Sequence, residues 1–215
     1  MSKHVVVLHG LALNRLWMSP LAFYLKRAGY VVHNISYPST RLTIQDIAQQ
    51  RLIPFLKSLP TDMAELNFVT HSMGGIVLRA CFKDFSPPVS GRTVMIGPPN
   101  HGSEAADILK NLSLFKWYFG PAGQELVTDP EHSTPKKLGP VNFETGVIAG
   151  SRGFFHLYFG QKLPKPNDGL VTEASTKVKG LTDHITLNTD HSMMVFSPQV
   201  MRQTVHFLQN GLFNR

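Results

Sequence analysis

A chain of 215 residues has room for one sizeable core, and a single domain over 1–215 is the default expectation. Its 42% hydrophobic and 16% charged residues fit a globular protein and exclude a disordered chain, and no apolar run reaches bilayer-spanning length. The net charge of +7 permits an anionic partner, yet the basic residues (Lys26-Arg27, Lys136-Lys137, Lys177/Lys179) are scattered and form no nucleic-acid motif. Nucleic acid is therefore not expected, and peripheral contact with an anionic membrane surface is the functional reading the charge retains. The lone Cys81 excludes an intramolecular disulfide and fits a reducing compartment. Met1-Ser2-Lys3-His4 runs straight into an apolar stretch with no secretory signal, so a cytoplasmic location is expected.

Val5-Val6-Val7-Leu8 is a continuous β-branched run, the pattern of a strand buried on both faces, and it ends in a loop, His9-Gly10-Leu11-Ala12. Leu16 to Arg27 has apolar residues at helical spacing, stopped by Gly29, and Tyr30 to Ile35 is the next strand. Thr43 caps a helix running to about Leu59 that Pro54 should bend. Leu66 to Thr70 is a third strand, Met73 to Phe82 a helix, and Arg92 to Gly97 a fourth strand. Asp107 to Phe119 is a heavily apolar helix, followed by a loop-like run through Pro140. Segment 103–146 is thus either a cap or pocket wall or a helix packed on the sheet, and the sequence leaves both open. Val147 to Gly150 and His184 to Leu187 complete the strands, and Pro198 to Leu208 is the closing helix. Strands alternating with helices at this spacing imply an α/β fold, a mostly parallel sheet of about six strands with helices on both faces.

Phe68-Val69-Thr70-His71-Ser72-Met73-Gly74-Gly75 carries the chemistry. A serine at a sharp strand-to-helix turn has its hydroxyl pushed above the sheet, next to the free N–H groups of a helix N-terminus. Gly74 permits the tight turn, whereas Thr70 stands where the G-x-S-x-G pattern has its first glycine and should crowd it. A plain helix cap would account for Ser72 but not for the strand before it and the two glycines after it. Cys81, on the same helix, is expected as a small buried apolar residue.

A serine needs a base and a group to orient that base, in the order Ser, Asp/Glu, His. Of ten histidines, His9, His33 and His71 precede the serine, His156 precedes the best acid, His184 starts a strand, and His206 lies within the last helix. His191 lies between the last strand and the last helix, at the sheet edge where Ser72 emerges. The leading acid is Asp168, in Asn167-Asp168-Gly169, with Asp190, Asp183 and Glu173 in reserve. Backbone N–H groups of Met73 and Leu11 are the expected oxyanion donors. Leu11, Leu13, Trp17, Met18, Phe115, Trp117, Met193 and Met194 are candidates for an acyl-chain pocket.

With these residues in place, the chain resembles the α/β-hydrolases, and within them a small lipase/esterase-like group that includes bacterial class 2 lipases and inositol deacylases. The matching pieces are His9-Gly10-Leu11, His71-Ser72-Met73-Gly74-Gly75, Gly97-Pro98-Pro99-Asn100-His101-Gly102-Ser103, Asn167-Asp168-Gly169-Leu170-Val171 and Asp190-His191. The resemblance implies an α/β-hydrolase fold and cleavage of a small-molecule or lipid ester through an acyl-enzyme. Ser72 would be the nucleophile, His191 the base and Asp168 its orienter, with no metal and no organic cofactor. An acyltransferase or thioesterase with the same triad is the alternative within enzymes. A catalytically silent lipid- or partner-binding relative is the alternative outside them.

Overall fold

The computed structural model describes residues 2–87, 89, 91–153 and 157–215; His156 lies outside the described residues. Six strands, β1 (Lys3–Leu8), β2 (Val31–Asn34), β3 (Glu65–His71), β4 (Thr93–Ile96), β5 (Thr145–Gly150) and β6 (Asp183–Leu187), form one parallel sheet. Their order is β2-β1-β3-β4-β5-β6. The chain starts in the sheet, moves out to β2, then returns past β1 to β3, so the winding reverses between β1 and β3. In open α/β sheets a crevice forms beyond the carboxyl ends of the strands at such a reversal. β1 and β3 run in register from Lys3↔Glu65 to Leu8↔Thr70, which brings the end of β1 beside the turn at Ser72.

Alternation along β1 decides the two cores. Val6 and Leu8 face one side and Val5 and Val7 the other, all fully buried, which is why the strand shows no polar alternation. In chain order the helices are α1 (Ser19–Arg27), α2 (Ile44–Ile47), α3 (Ile53–Lys57), α4 (Met73–Asp84), α5 (Glu104–Leu109), α6 (Ser113–Glu125), α7 (Thr134–Lys137), α8 (Leu157–Lys162), α9 (Glu173–Thr176) and α10 (Pro198–Asn210). α2, α3 and α4 bury Ile44, Ile47, Leu56, Ile76 and Ala80 on the Val6/Leu8 face; α1 and α10 bury Leu21, Leu25, Val200 and Phe207 on the other. Cys81 is buried on α4, where burial first and the Asp84 charge second push its thiol up to about 12.

Three elements differ from the sequence reading. α1 begins at Ser19, because Leu16 and Phe23 point outward and the inward face is Leu21, Ala22 and Leu25. The helix capped by Thr43, whose side chain accepts the Asp46 N–H at 3.0 Å, does not simply bend at Pro54. It widens into a π turn over Ala48–Leu52 between α2 and α3. Proline has no N–H for the carbonyl four residues back, and its ring crowds that carbonyl; a wider turn absorbs both. The expected Asp107–Phe119 helix is two, α5 and α6, and α6 runs on to Glu125 through a kink at Gly120 (φ 61°, ψ −159°). A Cβ on Gly120 would stand 1.8 Å from the Thr40 carbonyl oxygen, so only glycine lets α6 cross that loop. Among the described residues, no helix is long and apolar enough to cross a membrane.

Candidate active site

Ser72 links β3 directly to α4 with φ 53° and ψ −126°, a conformation that residues with a Cβ rarely adopt. The turn is held from both sides: the Ser72 N–H donates to the Ile96 carbonyl (2.8 Å), and the Gly75 N–H donates to the Ser72 carbonyl (3.0 Å). Strain of this kind persists only where the surroundings over-determine it, and it concentrates at functional sites. Gly74 is what allows α4 to start so close to the sheet, since a Cβ there would lie 2.8 Å from the carbonyl oxygens of both Leu8 and His9. The crowding expected from Thr70 is relieved across the turn by Gly75, whose Cβ would come within 3.2 Å of Thr70 Oγ1.

His191 opens a 3₁₀ turn, His191–Phe196, and is almost fully buried. Its Nε2 lies 3.0 Å from Ser72 Oγ and its Nδ1 2.7 Å from Asp168 Oδ2. Asp168 is completely buried, and its other oxygen accepts the N–H groups of Leu170 (3.0 Å) and Val171 (2.8 Å). The Asx turn that makes Asn-Asp-Gly a local turn signal therefore uses one carboxylate oxygen and leaves the second for the imidazole. Two glycines give the pair room. A Cβ at Gly97, at the end of β4, would be 3.2 Å from the His191 ring, and one at Gly150, ending β5, would be 2.7 Å from Asp168 Cβ.

The reserve acids serve other groups. The Asp190 side chain accepts the Ser192 N–H (3.1 Å) as the cap of the 3₁₀ turn. Asp183, at the start of β6, accepts the N–H groups of His184 (2.8 Å) and Phe213 (2.9 Å) and pairs with Arg215. Glu173 pairs with Lys177 at 2.9 Å.

Two histidines that sequence order eliminates as bases turn out to hold the site together. His71 is buried, and its Nε2–H donates to the His191 carbonyl at 3.0 Å, with the two rings 5.0 Å apart. Burial, and then the neighbouring His191, push its pKa down to about 3, so it stays a neutral donor. His9 donates from Nδ1 to the Gly10 carbonyl (2.8 Å) and accepts the Tyr37 N–H at Nε2 (3.2 Å); its ring stacks on Tyr37, whose hydroxyl donates to the His9 carbonyl. Burial lowers the pKa of His9 as well. With the Gly10 carbonyl turned toward His9 across a trans peptide, the Leu11 N–H faces the opposite way. Among the described residues no group accepts from the N–H of Leu11 or of Met73, the first residue of α4. The signal for both histidines is their sequence position beside Gly10 and Ser72, which carries meaning only once Tyr37 after β2 and the His191 carbonyl beyond β6 are in place. For His191 itself, burial disfavours the charged ring, but the charge and hydrogen bond of Asp168, with Asp190 nearby, outweigh it and raise the pKa.

Beside Ser72 and His191 lies a mostly apolar cavity of about 770 Å³, including its open mouth. Leu11 and Leu13 line it together with Ala105, Ala106, Leu109, Phe115, Phe119 and Leu126 of α5, α6 and the residue after it. The part of segment 103–146 that lines this cavity runs from Ser103 to Leu126. Of the residues expected at the pocket, Leu11, Leu13 and Phe115 line it, and the others do not. Met18 is fully buried in the α1/α10 core, and Trp17 packs edge-on against Phe196 at 5.0 Å. Trp117 is 80% exposed on the outer side of α6, and Met193 also points outward, while its neighbour Met194 is buried in the core. Apolar character alone could not separate these positions; within α6 the helix phase turns Phe115 inward and Trp117 outward.

A wholly parallel sheet of this order, with a serine turn after its third strand, defines a class, and sequence comparison agrees. Residues 5–200 match the alpha/beta hydrolase family, and the chain belongs to that family. No curated protein matches it in sequence. Among solved structures it is similar to the Bacillus licheniformis lipase BlEst2 in mature form, with TM-score 0.72 and 19% identity over 98% of this chain and 92% of that one. It is also similar to Aspergillus fumigatus lipase B (0.71, 15%, covering 97% of this chain and 53% of that one). A metagenomic carboxyl esterase compares at 0.68 and 18%, covering 88% and 64%. At these identities the likeness is one of fold.

Proposed function

We propose that the protein is a carboxylic ester hydrolase of the lipase/esterase kind, working through an acyl-enzyme on Ser72. The observation that carries this reading is the unbroken line from Ser72 Oγ through His191 (3.0 Å and 2.7 Å) to the buried Asp168, ending at an apolar pocket. A carboxylate can only accept, so Nδ1 carries the ring proton and Nε2 is free to take the proton of Ser72. Ser72 Oγ attacks the ester carbonyl carbon as its proton passes to Nε2. The tetrahedral oxyanion faces the Leu11 and Met73 N–H groups, which no described residue occupies. Collapse breaks the C–O bond, and the leaving alcohol takes the proton from Nε2. Water then enters by the same route and releases the acid. Asp168 accepts the Nδ1–H throughout and stabilises the imidazolium formed in each half-reaction.

The fold neighbours named lipase and carboxyl esterase point the same way, and the apolar walls suit an acyl chain. The test is a series of p-nitrophenyl esters from acetate to decanoate, run beside the matching acyl-CoA thioesters. Ester turnover is expected, lost by roughly 10⁴-fold or more in Ser72→Ala with the melting temperature preserved. Faster turnover of the thioesters would move the protein to the thioesterases. Turnover of neither substrate by folded protein would leave a binding protein on a hydrolase fold.

A further inference from the structure

The first two turns of α6 are apolar on both sides. Phe115 and Phe119 turn inward, their rings 4.8 Å apart against the cavity. Leu114, Trp117 and Tyr118, at i, i+3 and i+4, share the opposite face and are 72%, 80% and 55% exposed. Leu112, just ahead of the helix, is also exposed. A helix apolar all round is ordinarily enclosed by protein or lipid. Single exposed apolar residues such as Leu16 and Phe23 need no explanation. Two aromatics and two leucines exposed within 112–118 concentrate apolar surface on one segment, and such patches mark interaction surfaces.

The chemistry at the rim selects the partner. Lys116 flanks the patch, Lys110 beside it lies 3.8 Å from Asp107, and the chain as a whole carries +7. Glu104 accepts from the Thr172 hydroxyl, and Asp107 accepts from the N–H and hydroxyl of Thr128 as well as pairing with Lys110, which leaves Lys116 as the rim charge. Protein interfaces deplete lysine, whereas lysine stems lie along apolar lipid with their charge at the headgroups. Tryptophan and tyrosine favour the same boundary, since each joins an apolar ring to a polar tip.

We propose that the outer face of α6, with Leu112, seats the protein on an anionic lipid bilayer, and that the pocket behind Phe115 and Phe119 opens there at acyl-chain level. An apolar helix face of this kind lies roughly 5–10 Å into the headgroup boundary. The proposal rests on the ester-hydrolase reading for its substrate, an ester drawn from the bilayer; the docking itself is measured without turnover.

The experiment is flotation of Ser72→Ala protein, which leaves the lipids intact, with vesicles of pure phosphatidylcholine or of equimolar phosphatidylcholine and phosphatidylglycerol. Binding to the anionic vesicles is expected, with a blue shift of Trp117 emission read in a Trp17→Phe background. Leu114→Ser/Trp117→Ser should lose at least about tenfold in binding, and Lys116→Glu about fivefold on anionic vesicles only. In a chain that retains Ser72, the double substitution should leave hydrolysis of dissolved p-nitrophenyl acetate within about twofold of its original rate, as expected for residues outside the pocket. Wild-type-like flotation of the folded double variant overturns the proposal, as does absence of binding to both vesicle types. Sedimentation showing a dimer that the double substitution dissolves would assign the face to a second copy of the chain and also overturn it. Vesicle binding without ester turnover would sink the hydrolase reading while leaving the docking face in place.

Discussion

On one side of the pocket His191 is fixed at four points: its N–H on the Asp168 carbonyl, its carbonyl by His71, and its ring between Asp168 and Ser72. On the other side Phe115 and Phe119 are placed by ring contact, by small residues beneath them and by one kink at Gly120. The sheet edge is buried and hydrogen-bonded, and the α5–α6 wall is apolar and half out in solvent. Proton transfer fails if a ring moves by an ångström, so it belongs on the bonded side. Acyl-chain selection tolerates looser shape, because one methylene more or less is worth only about 1–3 kcal/mol. Substitutions on the first side should therefore act on turnover, and those on the second on preference.

The largest contrast is expected between two aspartates near His191. Asp168→Asn should lower kcat for a p-nitrophenyl ester by ~10⁴-fold, because an amide in place of the carboxylate favours the wrong imidazole tautomer. Asp190→Asn keeps a cap for the 3₁₀ turn and should cost under ~10-fold; the opposite ranking would hand the acid role to Asp190. His71→Phe removes the donor to the His191 carbonyl and should lower kcat roughly 10- to 100-fold with KM nearly unchanged, partly restored in His71→Gln. A fall in melting temperature with normal kcat would instead make His71 a packing residue. On the wall, Leu109→Trp should cut kcat/KM for decanoate about tenfold relative to acetate. An equal loss on both esters would mean that the wall positions the reacting carbonyl rather than the chain.

The pH responses separate the same groups. In the proposed mechanism His191 must be neutral to accept the serine proton, and its pKa is raised, so kcat/KM should climb with pH through a midpoint above the ordinary histidine value of 6.5. His71 acts on stability in the opposite range. Between its folded value of about 3 and 6.5 the unfolded chain binds the extra proton, so stability falls as pH drops through that window. Melting temperatures should therefore decline below pH 6.5, less steeply in His71→Gln than in wild type.

The sheet edge is also the part most legible in the sequence. A β-branched run, a strand-to-helix serine and a chain order of Ser72, Asp168, His191 each depend on local pattern plus the rule that strand ends gather on one edge. Asp168 could be ranked above Asp190 because adjacent side chains diverge, and the structure does turn Asp190 onto its own backbone. The structural tasks of His9 and His71 could not be read, since His9 meets Tyr37 after β2 and His71 meets His191 beyond β6, partners far away in sequence. The wall was legible only as something apolar and irregular. The kink that carries α6 on to Glu125 follows from Gly120 passing the Thr40 carbonyl, a contact between residues far apart in sequence. Which of Trp17, Met18, Phe115, Trp117 and Met193 meets the pocket likewise depends on helix phase, which hydrophobicity does not encode where a helix is apolar on both faces. Thr70 shows the same limit in small: the crowding is real, and its relief by Gly75 is visible only in three dimensions.

The most direct test of an activated Ser72 is labelling with a fluorophosphonate, read by intact mass on wild type and Ser72→Ala. One phosphonyl group per wild-type chain and none on the folded variant is the expected result. Equal labelling of both proteins, or none on either in the presence of phosphatidylglycerol vesicles, would contradict the assignment of Ser72 as nucleophile.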